Sequence, residues 1–208
     1  MRAISRRQVV IGASAIGACT AAAGHRSAKA DGPFDFSKPL TGWQALAGDW
    51  AIEEVTGAAD DGRALVQRAT ANEFNVIVAP GGPYDNMIVI ARFKPMSGRE
   101  DASGGIVFRF AEGRYYVVRA NALEDNFRLY YYDRGRRMIT TAAVEPPSLG
   151  QWHRLQVSAN RDRIQGWLND RLLIDQRDSR FTAGQVGLWT KADSVTAFDS
   201  VAVLPIEG

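Results

Sequence analysis

From Phe34 to Val203 the chain alternates apolar and polar residues in short runs separated by turn residues. Residues 104–110 (GGIVFRF) and 115–121 (YYVVRAN) alternate at a period of two, and Glu112-Gly113 between them is a tight-turn signal, so a hairpin is expected. Residues 127–132 follow, closed by Asp133-Arg134-Gly135. Residues 152–159, 163–168 and 171–174 form a further strand series, turning at Asn160-Arg161-Asp162 and at Asn169-Asp170. Residues 184–190 and 197–203 complete it, and 50–55, 64–67, 75–78 and 86–93 look similar upstream. Residues 94–103 and Pro146-Pro147 read as loops. No amphipathic helix stands out, beyond a short turn of one at 70–75. Many short strands at regular spacing predict an all-β sandwich or barrel.

The first thirty residues follow another pattern. Arg2, Arg6 and Arg7 precede a mild apolar run at 9–18, and Ser27-Ala28-Lys29-Ala30 ends like a cleavage site. The run is too short to span a bilayer, so residues 1–30 are expected to be an export signal. Ser5-Arg6-Arg7-Gln8-Val9-Val10 resembles the twin-arginine motif. Cleavage after Ala30 gives a free periplasmic or secreted protein, with residues 31–208 as one domain. Cys19, the only cysteine, sits in a stretch similar to a lipoprotein box; lipidation there would instead tether the protein to a membrane.

Removing the signal changes the charge. Five of the 25 basic residues and none of the 23 acidic ones lie in 1–30, leaving 20 against 23 and a net charge of −3. That argues against a nucleic-acid partner, which needs a basic face. With no cysteine left, stability must come from packed side chains rather than disulfides. Of the two histidines only His153 survives, which excludes zinc sites built on Cys and His.

The motif order then becomes informative: Gly48-Asp49-Trp50, Gly104-Gly105-Ile106-Val107-Phe108-Arg109, residues 115–121, Gly150-Gln151-Trp152-His153-Arg154-Leu155, Trp167-Leu168-Asn169-Asp170, and Gly184-Gln185-Val186-Gly187-Leu188-Trp189 before Ala197-Phe198-Asp199. This order resembles the concanavalin A-like jelly rolls, and within them the 3-keto-disaccharide hydrolase (family 16 glycoside hydrolase-like) domains, over residues 34–205. The resemblance implies two antiparallel sheets, a carbohydrate or glycoside ligand, and for an enzyme proton abstraction beside a ketone. The Glu-x-Asp-x-x-Glu motif of laminarinase-type members is absent. Glu53 and Glu54 are adjacent and point to opposite faces, so the close carboxylate pair of retaining hydrolysis is not available there.

The candidate site lies in 115–133, which holds five of the six tyrosines. Arg119 and Asn121 share a strand face with Tyr115 and Val117, and with Arg109 and Trp189 they are the residues expected to bind substrate, aromatic rings against pyranose faces and polar groups to hydroxyls. A solvated sheet face explains the same alternation. Glu124 with Arg119 or His153 is the acid–base choice if the protein is an enzyme. Glu124, Asp125 and Asn126 also suit a turn, and three oxygen-bearing residues do not make a calcium shell, so no cofactor is expected. Asp193 and Asp199 are weaker metal-ligand candidates. Three functions stay open: a carbohydrate-binding envelope domain, a 3-keto-glycoside hydrolase or lyase, and a non-catalytic interaction domain.

Overall fold

The computed structural model describes residues 32–207. Fourteen strands and no helix occur among them: β1 (Gln44–Ala47), β2 (Trp50–Glu54), β3 (Arg63–Gln67), β4 (Phe74–Val78), β5 (Met87–Ser97), β6 (Ser103–Ala111), β7 (Arg114–Asn121), β8 (Asn126–Tyr132), β9 (Arg136–Ala143), β10 (His153–Asn160), β11 (Arg163–Leu168), β12 (Arg171–Arg177), β13 (Gln185–Lys191) and β14 (Val195–Pro205). They form two seven-stranded antiparallel sheets. The first runs β12-β11-β10-β5-β14-β3-β2 and the second β1-β4-β13-β6-β7-β8-β9. Sequence neighbours such as β5 and β6 lie in different sheets, which makes the sandwich a jelly roll.

The period-two pattern puts one face of each sheet into a common core. Met87, Val89, Ala91, Phe93, Leu155, Val157 and Phe198 of the first sheet meet Ile106, Phe108, Tyr116, Val118, Phe127 and Leu188 of the second. The expected turns hold the hairpins: Glu112 and Gly113 both take positive φ (52° and 78°), as do Asn169 and Asp170 (47° and 65°). Asparagine and aspartate tolerate this left-handed geometry better than most side chains.

The sequence reading differs from the structure in three places. No helical turn forms at 70–75, where Phe74 and Asn75 instead open β4. Lys94–Ser97 is not loop but the end of β5. Pro95 is tolerated there because β10 begins at His153, opposite Phe93, leaving β14 as the only strand beside Pro95. The edge strands β1 and β9 were not anticipated. β9 is mostly exposed and reads RRMITTAA, without the alternation that burial of one face imposes.

Candidate functional site on the outer face of the second sheet

On β7, Tyr116, Val118 and Ala120 enter the core, so Tyr115, Val117, Arg119 and Asn121 face outward. The register extends that face. Arg119 stands between Gly105 of β6 and Arg128 of β8; Val117 between Val107 and Tyr130; Tyr115 beside Tyr132; and Gly105 beside Trp189 of β13. Ring contacts show that the face is concave. Phe74 of β4 and Tyr132 of β8 are separated by β13, β6 and β7, yet their centroids are 5.2 Å apart. A flat sheet would hold them roughly 19 Å apart at ~4.8 Å per strand. Trp189 stacks on Phe74 (5.8 Å), Tyr115 stacks on Tyr132 (4.4 Å), and Arg136 of β9 reaches over both Phe74 and Tyr130 (5.4 and 5.1 Å). Burial pushes the Tyr115 and Tyr132 hydroxyls well above the usual phenol range, so both stay protonated.

One end of this trough is polar. Arg119, 3% exposed, donates from Nη2 to Glu124 Oε2 at 2.6 Å and from Nη1 to the Asn126 carbonyl at 3.3 Å. Arg128 donates to the Tyr130 hydroxyl (3.1 Å) and lies 3.7 Å from the same Glu124 oxygen. Burial works against ionisation of Glu124. The hydrogen bond and charge of Arg119, with help from Asn126 and Arg128, outweigh it and hold the carboxyl below its ordinary value. Asn121 Oδ1 accepts from the amides of Ala102 and Leu123, fixing the β7–β8 connection against the start of β6. Gly105 gives Arg119 room: a Cβ there would lie 3.1 Å from Arg119 Cβ.

Six buried side-chain polar atoms have no hydrogen-bond partner among the described residues. Five of them, Asn121 Nδ2, Asn126 Oδ1, Arg128 Nε, the Tyr132 hydroxyl and Trp189 Nε1, belong to this one face; only Asp199 Oδ1 lies elsewhere. The Trp189 N–H and Tyr132 hydroxyl face each other without a well-formed bond. Native interiors rarely leave such atoms unsatisfied, so their concentration on one face is informative.

The structure thus brings Arg119, Asn121, Glu124 and Trp189 onto a single surface, with Trp189 buried in its floor rather than displayed. Two other candidates stand apart. Arg109 leaves the face because β6 bulges between Phe108 and Ala111 and the residue takes φ +52°. Its guanidinium is spent on the carbonyls of Asp85, Phe181 and Arg161. His153 lies on the first sheet, its ring beside Phe93, with Nε2 3.0 Å from the Ser148 carbonyl and Nδ1 3.1 Å from the Asn169 amide nitrogen. Since a carbonyl can only accept, Nε2 carries the proton and Nδ1 takes the amide N–H, which leaves no lone pair for a substrate. The weaker metal-ligand candidates have local roles too. Asp193 accepts from the backbone N–H groups of Arg99, Glu100 and Asp101, and Asp199 accepts from Ala59 and pairs with Arg92 at 3.3 Å. No group of three His, Cys, Asp or Glu suited to a metal ion occurs among the described residues. Cys19 and the export signal lie outside those residues.

Arg128, Tyr130 and Arg136 were missed in the sequence. Arg128 was recoverable: it alternates with the apolar Phe127 and Leu129, so it had to face outward beside Arg119. Arg136 was not, because it sits on the unanticipated β9.

Two seven-stranded sheets, the second with a concave outer face, define a jelly-roll β-sandwich of the galectin and concanavalin A type. A model of the 3-keto-alpha-glucoside-1,2-lyase-like domain matches residues 33–203, and the chain belongs to that family. It is 28% identical over 183 residues to a levanase of Bacillus subtilis, a match covering 85% of this chain and 25% of the levanase. The carbohydrate-binding module CBM66 of Bacillus subtilis superposes with a TM-score of 0.65 at 24% identity, covering 78% of this chain and 94% of the module. The β-glucanase of Bacillus licheniformis superposes at 0.55 with 11% identity, over 86% and 98% of the two chains. At these identities the superpositions speak for the fold.

Proposed function

We propose that this protein is a carbohydrate-binding domain of the bacterial envelope, and that its ligand occupies the polar end of the concave face. The observation that carries this reading is the concentration on this face of five unpartnered buried polar atoms, three of which, Asn121 Nδ2, Asn126 Oδ1 and Arg128 Nε, stand at the polar end beside Arg119 and Glu124. A polyhydroxylated ligand offers hydroxyl partners to the three at the polar end, above a floor of packed aromatic rings. The module and levanase matches support the same ligand class. Residues 1–30 support export, with cleavage after Ala30 or lipidation at Cys19; mass spectrometry of the mature N-terminus decides between them.

One observation favours catalysis as a second reading. Glu124 is an ionised, partly exposed carboxylate, as a base abstracting a proton beside a ketone must be. Its partner Arg119 offers hydrogen-bond donors and a fixed charge, so the pair supplies a base without a second carboxyl or imidazole to serve as the acid. Binding therefore ranks first. The test is glycan-array and calorimetric binding by residues 31–208, alongside turnover of 3-keto-disaccharides. Binding that Arg119→Ala abolishes, without turnover, supports the first reading. Turnover lost in Glu124→Gln supports the second. A protein that neither binds nor turns over any glycoside sinks both and leaves an interaction domain.

A further inference from the structure

Charge and burial also disagree at the opposite end of β7, where Arg109 is 1% exposed. Nε and Nη2 donate to the Asp85 carbonyl (3.2 and 2.8 Å), Nη2 also to Arg161 (2.8 Å) and Nη1 to Phe181 (2.9 Å). All these acceptors are neutral. No carboxylate of the described residues stands within ion-pair distance, and Asp85 acts only at longer range. One of the five N–H groups of the guanidinium, on Nη1, is left over. Buried charges are usually paired, so a desolvated arginine held only by carbonyls is half a site.

The other half is a cavity of about 160 Å³ lined by Arg109, Arg114, Arg180, Phe181 and Thr182 with two alanines, and by no acidic residue. That is many times the ~10–15 Å³ a single ordered water needs. Arg180 is held in place by its ion pair with Asp178 and by stacking on Tyr131 at 4.4 Å. Asp178 is itself fixed by the Tyr116 hydroxyl at 2.5 Å. Arg114 has only the exposed Glu112 at 3.3 Å, a contact that is easily exchanged. Planar guanidinium forks match oxyanions better than any other side chain.

We infer that this pocket is a binding site for a tetrahedral oxyanion, sulfate or phosphate, taken up as the free ion or as an ester on a glycan. Arg114 and Asn121 end the same eight-residue strand, so the pocket lies about 23 Å from the polar end of the concave face at ~3.3 Å per residue. The two sites are independent, and this inference does not need the concave face to bind sugar.

Sulfate stabilises many proteins nonspecifically, so the test is saturable binding. Residues 31–208, labelled with nitrogen-15, are titrated with sodium sulfate, sodium phosphate and, at matched ionic strength, sodium chloride. The expected result is a saturating shift of the Thr182 and Ala183 amides with sulfate or phosphate and none with chloride. Arg114→Gln/Arg180→Gln should weaken that affinity at least tenfold with the remaining spectrum unchanged. Shifts equal to those with chloride, or saturation unaltered in the double variant, overturn the site and leave Arg109 as a tie between loops. A sulfated oligosaccharide binding tenfold tighter than inorganic sulfate identifies an ester; equal affinity identifies the free ion. Arg119→Ala should leave the sulfate titration intact, so failure at one site is distinguishable from failure at the other.

Discussion

Arg119 is a charged residue buried on the solvent side of a sheet, and its position makes sense only with Glu124 beside it. Truncation to alanine strands the carboxylate and removes the bond to the Asn126 carbonyl. Arg119→Ala should cost about 2 kcal/mol in urea unfolding, in the range for charge-assisted bonds, and abolish glycan binding in calorimetry. Glu124 gives a prediction with a definite sign. Its folded pKa is below the ordinary 4.5. A carboxyl of this kind contributes its full stability above the unfolded value and loses it as pH falls through the folded one. The stability gap between the protein and Glu124→Gln should therefore be constant at neutral pH and close as pH drops below 4.5. A gap that widens on acidification would reverse the assignment.

At the scale of the element, β6 shows how adjacent residues serve different layers. Gly104 faces the core, where an added Cβ would come within 2.5 Å of the Phe93 ring; Gly105 faces the trough, where it would meet Arg119 and the Val118 carbonyl at 3.0–3.1 Å. Phe93 is fully buried and cannot retreat, so Gly104→Ala should destabilise by about 1–3 kcal/mol, as overpacking does, with little effect on ligand affinity per folded molecule. Gly105→Ala should do the reverse, costing about 1 kcal/mol and weakening binding severalfold by displacing Arg119. Measuring unfolding and affinity on both variants checks the face assignment. The hairpin β6–β7 and the strand β8 were legible because their core faces alternate strictly. β9 was not, since an edge strand with few buried side chains carries no period to read. Arg136 and its contacts across the trough went unseen with it.

The whole molecule has one principal core shared by both sheets. Neither sheet buries its inner face alone, so residues 31–208 should unfold in a single cooperative transition. Coincident loss of tryptophan fluorescence and far-ultraviolet circular dichroism in urea checks this; separate transitions would mean that the sheets are independent units. The polar end of the trough and the Arg109 pocket lie at opposite ends of β7, which permits ligands at both sites at once.

The sequence by itself determined the class of fold, because a period of two and left-handed turn residues are local properties, read without knowing where the chain goes next. It also determined that Arg119 and Asn121 lie on one face, since alternation along a single strand decides that. Only the tertiary structure decided the rest. Strand order set Arg128 beside Arg119, the curvature of the sheet brought Phe74 to Tyr132, and a one-residue bulge carried Arg109 from the sheet face into the loops. His153 went to the opposite sheet for the same reason: which strands become neighbours depends on long-range pairing, and no local pattern encodes it.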